Sequence, residues 1–251
     1  MYIDTEGIIF RYTKSVNGRS MVQIFSKKYG KISAGTSIST KGKGKSSLAM
    51  KPFTYGRYEL YKNRDSFNVN GAETLKSFYK IGEDVDKYMN ASYVMEFTAK
   101  LLPEQMPSPR LFNLLVDFLE EIQERKKKYG TLVVAYEIKA MKELGYMPQL
   151  HNCTSCQATS DLKFLDIKEG GVLCRKCGEK RIAMNRDSLI YELDSGIIDI
   201  LSYFVKNPLK SLKNLALEEE PLQRVRGIIN EYARYHLDLG ELKSEVFLTK
   251  E

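Results

Sequence analysis

The chain has 251 residues, of which 43% are hydrophobic and 28% charged, as in an ordinary globular protein. No stretch approaches the roughly 18 consecutive apolar residues of a membrane span. Asp4 and Glu6 interrupt the start of the chain, where an exported protein would carry an apolar segment. These features argue against a membrane or secreted protein. We therefore expect a cytoplasmic protein with reduced thiols and no membrane partner.

The net charge of +7 is concentrated in the first third of the chain. Residues 1–80 hold 15 Lys and Arg against 5 Asp and Glu, whereas residues 81–251 hold 24 against 27. Such asymmetry indicates a polyanionic partner for the N-terminal part. The alternative is a basic face that is merely solvated.

Residues 1–80 have the pattern of a small β-domain. Turn signals at Asn17-Gly18 and Tyr29-Gly30 separate runs rich in β-branched and aromatic residues. The predicted strands lie around residues 7–12, 20–26, 31–34, 55–61 and 66–69. Short strands at this spacing predict a barrel or sandwich. Their mixture of lysines and aromatics favours an OB-fold, which binds single strands by charge and base stacking.

Residues 41–47 form a loop in which Lys41, Lys43 and Lys45 alternate with glycines. The spacing does not match a P-loop, and no apolar strand runs into it. A flexible glycine backbone would let three point charges approach phosphates. The alternative is an exposed loop without a partner.

From about Glu73 the apolar pattern changes to the period of a helix. Ser108 followed by Pro109 marks one helix start, Lys126–Lys128 marks the end of that helix, and Thr131 is the expected N-cap of the next. Helices are predicted around residues 88–102, 109–122, 131–144, 197–205 and 221–237. Their apolar stripes indicate core packing and not a cofactor site.

The chain has four cysteines in two Cys-x-x-Cys pairs, with 17 residues between the pairs. This spacing is typical of a zinc ribbon or knuckle, and a β-hairpin is expected between the pairs. We predict one structural Zn²⁺ in a module at about residues 150–182, with these ligands: Cys153, Cys156, Cys174 and Cys177. A redox dithiol, disulfides and a catalytic zinc fit less well, and His151 stays open as a substitute ligand.

In this order, these features resemble the RecO family, bacterial DNA-repair recombination mediators. Each fragment is weak alone, and their order around the cysteines carries the likeness. They are Gly7-Ile8-Ile9, residues 28–34, the Lys41-Gly42 loop, Lys51-Pro52-Phe53, residues 144–150, Tyr232-x-x-Tyr235-His236-Leu237 and Leu242-Lys243-Ser244. The chain departs from the family in lacking an acidic residue in residues 15–20 and in carrying Lys51 before Pro52-Phe53.

The resemblance implies an α+β protein: an OB-fold-like β-barrel at residues 1–80, then an α-helical domain at residues 81–251 that carries the zinc hairpin with its four cysteine ligands. It also implies binding and annealing of single-stranded DNA, binding of duplex DNA, and association with the nucleoid. With RecR, such a protein helps RecA, itself an indirect partner, onto strands coated by single-strand-binding protein. Family members recognise the acidic, phenylalanine-ended tail of that protein on their helical part.

Neither the residues nor the resemblance offers a nucleophile or an acid-base pair, so we expect no enzymatic activity. A zinc-dependent nucleic-acid enzyme and an interaction scaffold without DNA binding are the alternatives. The candidate DNA contacts are basic side chains of the barrel, the glycine-lysine loop and the zinc hairpin: Arg11, Arg19, Lys27, Lys28, Lys31, Lys41, Lys43, Lys45, Lys51, Arg57, Arg175 and Lys176.

Overall fold

The computed structural model of the chain describes residues 1–14, 20–42, 44–64, 66–184, 189–193 and 195–250. Contacts group the chain into two compact units. Unit 1 comprises Met1–Arg125 and Leu242–Glu251, and unit 2 comprises Lys126–Glu241. The boundary expected near residue 80 stays a prediction. No helix in the described ranges is both long and apolar enough to cross a membrane.

Unit 1 begins with a closed five-stranded barrel in the order β1-β2-β3-β5-β4. Its strands are β1 (Tyr2–Lys14), β2 (Ser20–Ser26), β3 (Gly30–Thr36), β4 (Thr54–Lys62) and β5 (Phe67–Ser77). Neighbouring strands are antiparallel except β3 and β5, which pair in parallel. This is the arrangement of an OB-fold-like barrel, so the predicted α+β class and N-terminal barrel are confirmed.

Alternation along the strands directs apolar side chains into the barrel. Ile24 and Ile32 face each other across β2 and β3, and both are fully buried. The register of β1 against β2 shifts between Ile9 and Arg11, so Ile9 is buried in the core and Arg11 is exposed beside Gln23. This bulge re-aims a cation toward the outside of the barrel.

A short helix, α1 (Lys45–Ala49), lies between β3 and β4. Ala49 and the following Met50 are fully buried in the barrel core. The hydroxyl of Tyr58 donates a hydrogen bond to the carbonyl of Ala49 at 2.6 Å. Burial raises the pKa of the Tyr58 phenol, which stays protonated as the donor. The glycine-lysine loop is thereby attached to the barrel at its C-terminal side.

The rest of unit 1 is helical: α2 (Val85–Leu101), α3 (Pro109–Glu124), and 3₁₀ segments at Tyr79–Glu83 and Lys243–Lys250. The Asp84 carboxylate caps α2 by accepting from the Lys87 N–H at 2.9 Å. The Glu96 carboxylate accepts from the N–H groups of Lys243 and Ser244 at 3.1 and 2.8 Å. These bonds hold the C-terminal segment against α2.

Unit 2 is built around α4 (Tyr129–Glu143), which is buried along most of its length. α4 packs against α6 (Ser195–Lys206) and α7 (Glu219–Leu237). A three-stranded sheet in the order β7-β6-β8 completes the unit with α5. These elements are β6 (Leu162–Asp166), β7 (Gly171–Cys174), α5 (Arg175–Met184), β8 (Ile190–Glu192) and a 3₁₀ segment at Leu209–Leu212.

Several local predictions were wrong, and contacts distant in sequence explain them. The residues from Glu73 to Ser77 continue β5 instead of starting a helix, because Ser77 still pairs with Thr54 of β4. Thr131 lies inside α4, where its hydroxyl accepts from the Leu217 N–H at 3.0 Å, so it is not an N-cap. α3 ends at Glu124, before Lys126–Lys128. The turn expected at Asn17-Gly18 lies outside the described residues.

Candidate metal centre and nucleic-acid interface

The two cysteine pairs lie on different backbone supports. Cys153 begins a tight turn, in which its N–H donates to the Ala158 carbonyl at 2.8 Å and its carbonyl accepts from the Gln157 N–H at 2.9 Å. Cys174 is the last residue of β7, and Cys177 lies in the first turn of α5. A strand end followed directly by a helix therefore supplies the second pair.

The fold brings all four sulfur atoms within 4.8 Å of one another. The Sγ atoms of Cys156 and Cys174 are 3.7 Å apart. A tetrahedral site with Zn–S bonds of ~2.3 Å has edges of about 3.8 Å, so the donor set and its spacing match such a site. His151 is not part of this group. The four cysteines are close enough to hold a metal ion.

The backbone around Cys153 favours the thiolate that metal binding requires. Burial raises the pKa of the Cys153 thiol, but hydrogen bonds from the N–H groups of Cys174, Cys156 and Ser155 outweigh it and lower that pKa to about 6. Hydrogen bonds with the thiols of Cys156 and Cys174 raise the pKa of Cys177 to about 12. The backbone N–H groups around Cys153 therefore favour its thiolate form, the form that a metal ion binds.

The cysteines belong to a small core that also contains Phe164 and Leu173. Gly178, on α5, lies against the Phe164 ring, and a Cβ atom there would collide with the ring carbons. This close approach is the structural reason for a glycine at position 178. Arg181 also fixes α5, since its guanidinium donates to the buried Asp166 carboxylate at 2.6 Å.

α7 holds the cysteine-containing sheet from the other side. The Nε2 of His236 lies 2.6 Å from the Ile167 carbonyl, and the Arg224 guanidinium donates to the Glu192 carbonyl at 2.8 Å. The Tyr191 hydroxyl donates to the Glu231 carboxylate. The metal module is thus packed and hydrogen-bonded into unit 2 and is not a separate hairpin.

Several candidate DNA contacts are already engaged within unit 1. The Nζ of Lys27 lies 3.0 Å from Glu6, and the Nζ of Lys28 lies 3.0 Å from Asp4. The Lys31 side chain is only 14% exposed, and its Nζ donates to the Ala99 carbonyl at 2.9 Å. A phosphate would compete with these partners, so these lysines contribute less free charge than their number suggests.

Arg57 is exposed and lies opposite Glu6 in the β1–β4 register. Arg175, on the metal module, forms a salt bridge with Asp161 at 3.2 Å. The remaining candidates are exposed and form no salt bridge with a described residue: Arg11, Lys41, Lys45, Lys51 and Lys176. Arg19 and Lys43 lie outside the described residues. Residues 45–47 of the predicted loop belong to α1, so the connection between β3 and β4, which carries Lys41, Lys45 and Lys51, offers the most available charge of the predicted set.

Sequence reasoning missed a cleft of about 650 Å³ between the barrel and α2, here called the barrel–helix cleft. Six of its lining residues define it: Arg11, Phe53, Tyr88, Lys100, Lys243 and Phe247. Arg11 and Lys243 are far apart in the chain, and hydrogen bonds donated by the N–H groups of Lys243 and Ser244 to the Glu96 carboxylate hold the C-terminal segment in place. No local pattern could have shown this grouping.

A second depression, of about 490 Å³, lies between α4 and α6 in unit 2. Apolar side chains of Met147, Leu150 and Val205 line it together with Lys142 and Lys206. We call it the α4–α6 groove. It combines an apolar floor with two cations, which suits a peptide that carries both an apolar side chain and carboxylates.

Two family models match the chain. One described as "Recombination protein O N terminal" matches residues 1–78, and one described as "Recombination protein O C terminal" matches residues 82–245. Curated proteins named DNA repair protein RecO are also similar. That of Alkaliphilus metalliredigens is 29% identical over 239 residues, 95% of each chain. That of Oceanobacillus iheyensis is 30% identical over 227 residues, 90% of this chain and 85% of the relative. That of Halalkalibacterium halodurans is 28% identical over 99% of this chain and 94% of the relative.

Proposed function

Because this chain belongs to the RecO family of DNA repair and recombination proteins, we propose that it binds and anneals single-stranded DNA and also binds duplex DNA. With RecR, it would promote loading of RecA on strands coated by single-strand-binding protein. Its site of action would be the nucleoid, where that DNA lies. The function requires no bond making or breaking by the protein itself.

One observation carries this proposal: an OB-fold-like barrel bears exposed cations that lack salt bridges to described residues. Lys41, Lys45 and Lys51 lie in the connection between β3 and β4, and Arg11 lies on the outside of β1. OB-folds combine such charge with stacking platforms to bind single strands. Phosphate contacts of this kind position a strand without reading its sequence.

The test is binding of the full chain to a labelled oligothymidylate at a series of salt concentrations. We expect affinity to fall linearly on a logarithmic plot, because each neutralised phosphate releases counterions. The annealing rate of two complementary strands should rise with added protein. Absence of binding at low salt would instead support an interaction scaffold. Turnover of the oligonucleotide would support the alternative of a zinc-dependent enzyme.

We further propose that Cys153, Cys156, Cys174 and Cys177 hold one structural Zn²⁺. Four thiolates complete a tetrahedral shell and leave no position for a substrate. The ion would stabilise the fold of the module, because its binding free energy becomes folding free energy. Elemental analysis of freshly prepared protein should find about one equivalent of zinc per chain. Less than half an equivalent would contradict the assignment.

The α4–α6 groove is our proposed site for the acidic, phenylalanine-ended tail of single-strand-binding protein. Its apolar floor would take the terminal ring, and Lys142 and Lys206 would pair with carboxylates. Replacing both lysines with Ala should weaken binding of the tail peptide. Replacing the exposed Lys210, in the same unit but outside the groove, should leave it unchanged. An equal loss of peptide affinity in both variants would mean that the lysines attract the peptide only by their general positive charge.

A further inference from the structure

The barrel–helix cleft presents an excess of positive charge. Arg11 from β1, Lys100 from α2 and Lys243 from the C-terminal segment are exposed, and none forms a salt bridge with a described residue. Glu96 is the one carboxylate in the lining, and its oxygens accept hydrogen bonds from the C-terminal segment, including the Ser244 hydroxyl at 2.5 Å. Lys100 is one turn of α2 from Glu96 and its charge helps to lower the pKa of that carboxyl, so Arg11 and Lys243 are the cations most available to an anion that enters the cleft.

Aromatic rings line the same cleft. Tyr88 is 52% exposed and Phe247 is 44% exposed, although large aromatic side chains are usually buried. Phe53 has a φ of 58°, a left-handed conformation that is costly for an aromatic residue, and its carbonyl accepts from the Phe78 N–H at 3.0 Å. Its ring meets that of Tyr88 edge to face at 5.6 Å. The fold thus holds Phe53 against Tyr88 at some cost in backbone energy.

We propose that the barrel–helix cleft binds unpaired bases of single-stranded nucleic acid. This proposal rests on the function proposed above, because the cleft would hold a further part of the same single strand that the barrel binds. The bases stack on Tyr88 and Phe247, and Arg11, Lys100 and Lys243 contact the adjoining phosphates. The volume, about 650 Å³, falls in the range of sites that enclose small aromatic ligands.

Continuity with the barrel favours a nucleic acid as the occupant. Arg11 is paired with Gln23 in the β1–β2 register, and both side chains line the cleft. The cleft therefore opens from the outer face of β1 and β2, next to the strands by which OB-folds hold single strands. An acidic peptide would match the charge equally, but it would not require this continuity or two exposed rings, those of Tyr88 and Phe247, in one cleft.

The experiment uses the full-length protein, an oligothymidylate carrying one 2-aminopurine, and a duplex of the same length. Tyr88→Ala should weaken single-strand binding roughly 5- to 150-fold, the effect of one lost base–aromatic stack, and should reduce the change in 2-aminopurine fluorescence on binding, since Phe247 remains. Tyr88→Phe should retain both the single-strand affinity and the fluorescence change, because it keeps the aromatic ring. Duplex affinity should change little, because paired bases cannot enter the cleft.

Tyr79→Ala is the matched control, since Tyr79 is 63% exposed in the same unit but does not line the cleft. It should behave as the parent. If Tyr88→Ala lowers the melting temperature, the double variant Lys100→Ala and Lys243→Ala replaces it, because both side chains are exposed. That variant should flatten the salt dependence for single strands by about 1.4, or about 0.7 per lysine.

Unchanged single-strand affinity and fluorescence in Tyr88→Ala would overturn the cleft assignment while leaving the barrel's role intact. Equal losses for single strand and duplex would also overturn it. A loss confined to an acidic peptide ending in phenylalanine would make the cleft a peptide site instead. If the parent protein itself binds no single strand, the proposed function fails, and the cleft assignment fails with it.

Discussion

Glu6, on β1, lies between two donors. The Tyr55 hydroxyl donates to its carboxylate at 2.7 Å, and the Lys27 ammonium lies 3.0 Å from the same oxygen. These hydrogen bonds lower the pKa of Glu6 below its usual value of 4.5, and the bond from Tyr55 has the larger effect. Burial, with the nearby Glu6 carboxylate, raises the pKa of Tyr55 to about 12, so the phenol remains a donor at neutral pH. One carboxylate therefore holds a strand neighbour and a lysine in place.

Because the folded-state pKa of Glu6 is lowered, its contribution to stability is present above its unfolded pKa and is lost as the pH falls through the folded value. Glu6→Gln should lower the free energy of unfolding at pH 7 by about 1 kcal/mol, since 32% of the side chain is exposed and solvent screens the ion pair. The difference from the parent should shrink as the pH falls below about 4.5, the usual pKa of the group, and through its lowered folded-state pKa.

Urea unfolding at several pH values measures this difference. Glu59→Gln is the control, because Glu59 is exposed on the neighbouring strand β4. It should leave both the stability and its pH dependence close to those of the parent. A constant difference between Glu6→Gln and the parent across the whole acid range would contradict the predicted role of the charge.

At the scale of elements, the metal module shows how one small residue sets a packing distance. α5 lies so close to β6 that the Phe164 ring occupies the space a side chain at position 178 would need. The same helix carries Cys177, in its first turn, so the distance between α5 and β6 also sets the position of that sulfur. Packing and the cysteine geometry are therefore coupled through Gly178.

Gly178→Ala should lower the free energy of unfolding by about 1 to 3 kcal/mol, the usual cost of overpacking a filled core. Gly227→Ala, in the interior of α7, is the matched control, because a Cβ atom there meets open space. That change should stabilise the protein by up to about 1 kcal/mol, since alanine is the better helix former. Thermal or urea unfolding of both variants measures the contrast. Equal effects of the two changes would show that the Phe164 contact is unimportant.

The barrel, the helix starting at Pro109 and the hairpin between the cysteine pairs could be predicted, because each depends on local pattern. Alternation gives strands, Ser108-Pro109 marks a helix start, and Cys-x-x-Cys spacing brings sulfurs together. β8 could not be predicted, since its three residues form a strand only by pairing with β6. The same holds for the end of β5 and for Thr131, whose hydroxyl is taken by the Leu217 N–H. In all three cases, the local structure depends on a partner that is distant in sequence.

Across the whole molecule, the sequence showed that positive charge is concentrated in the N-terminal part. It did not show which of these charges are free to bind a partner. Asp4 and Glu6 are close to Lys28 and Lys27, and this follows from the way β1 meets the end of β2. Those pairs reduce the free positive charge at that end of the barrel. The lysines of the β3–β4 connection lack such partners among the described residues. A polyanion would therefore be attracted most strongly to the connection, although the basic residues are spread over several strands.

The glycine-lysine loop provides the test of this distribution. Replacing Lys41, Lys43 and Lys45 together with Ala should weaken DNA binding without unfolding the protein, because Lys41 and Lys45 are exposed and the loop is polar. If each lysine neutralises one phosphate, the slope of log affinity against log salt should flatten by about 0.7 to 0.9 per lysine, or roughly two to three units in all. The loss should be similar for different sequences, since phosphate contacts do not read bases.

The measurement is the affinity of parent and variant for one oligonucleotide over a series of salt concentrations. Three exposed lysines of unit 2, Lys126, Lys210 and Lys213, replaced together with Ala give the same change in net charge and serve as the control. That control should leave the slope near the parent's, because these lysines lie outside the barrel's unit. Superimposed lines for parent and loop variant would mean that the loop is only solvated. Binding would then have to depend on the outer face of β1, where Arg11 lies beside the barrel–helix cleft.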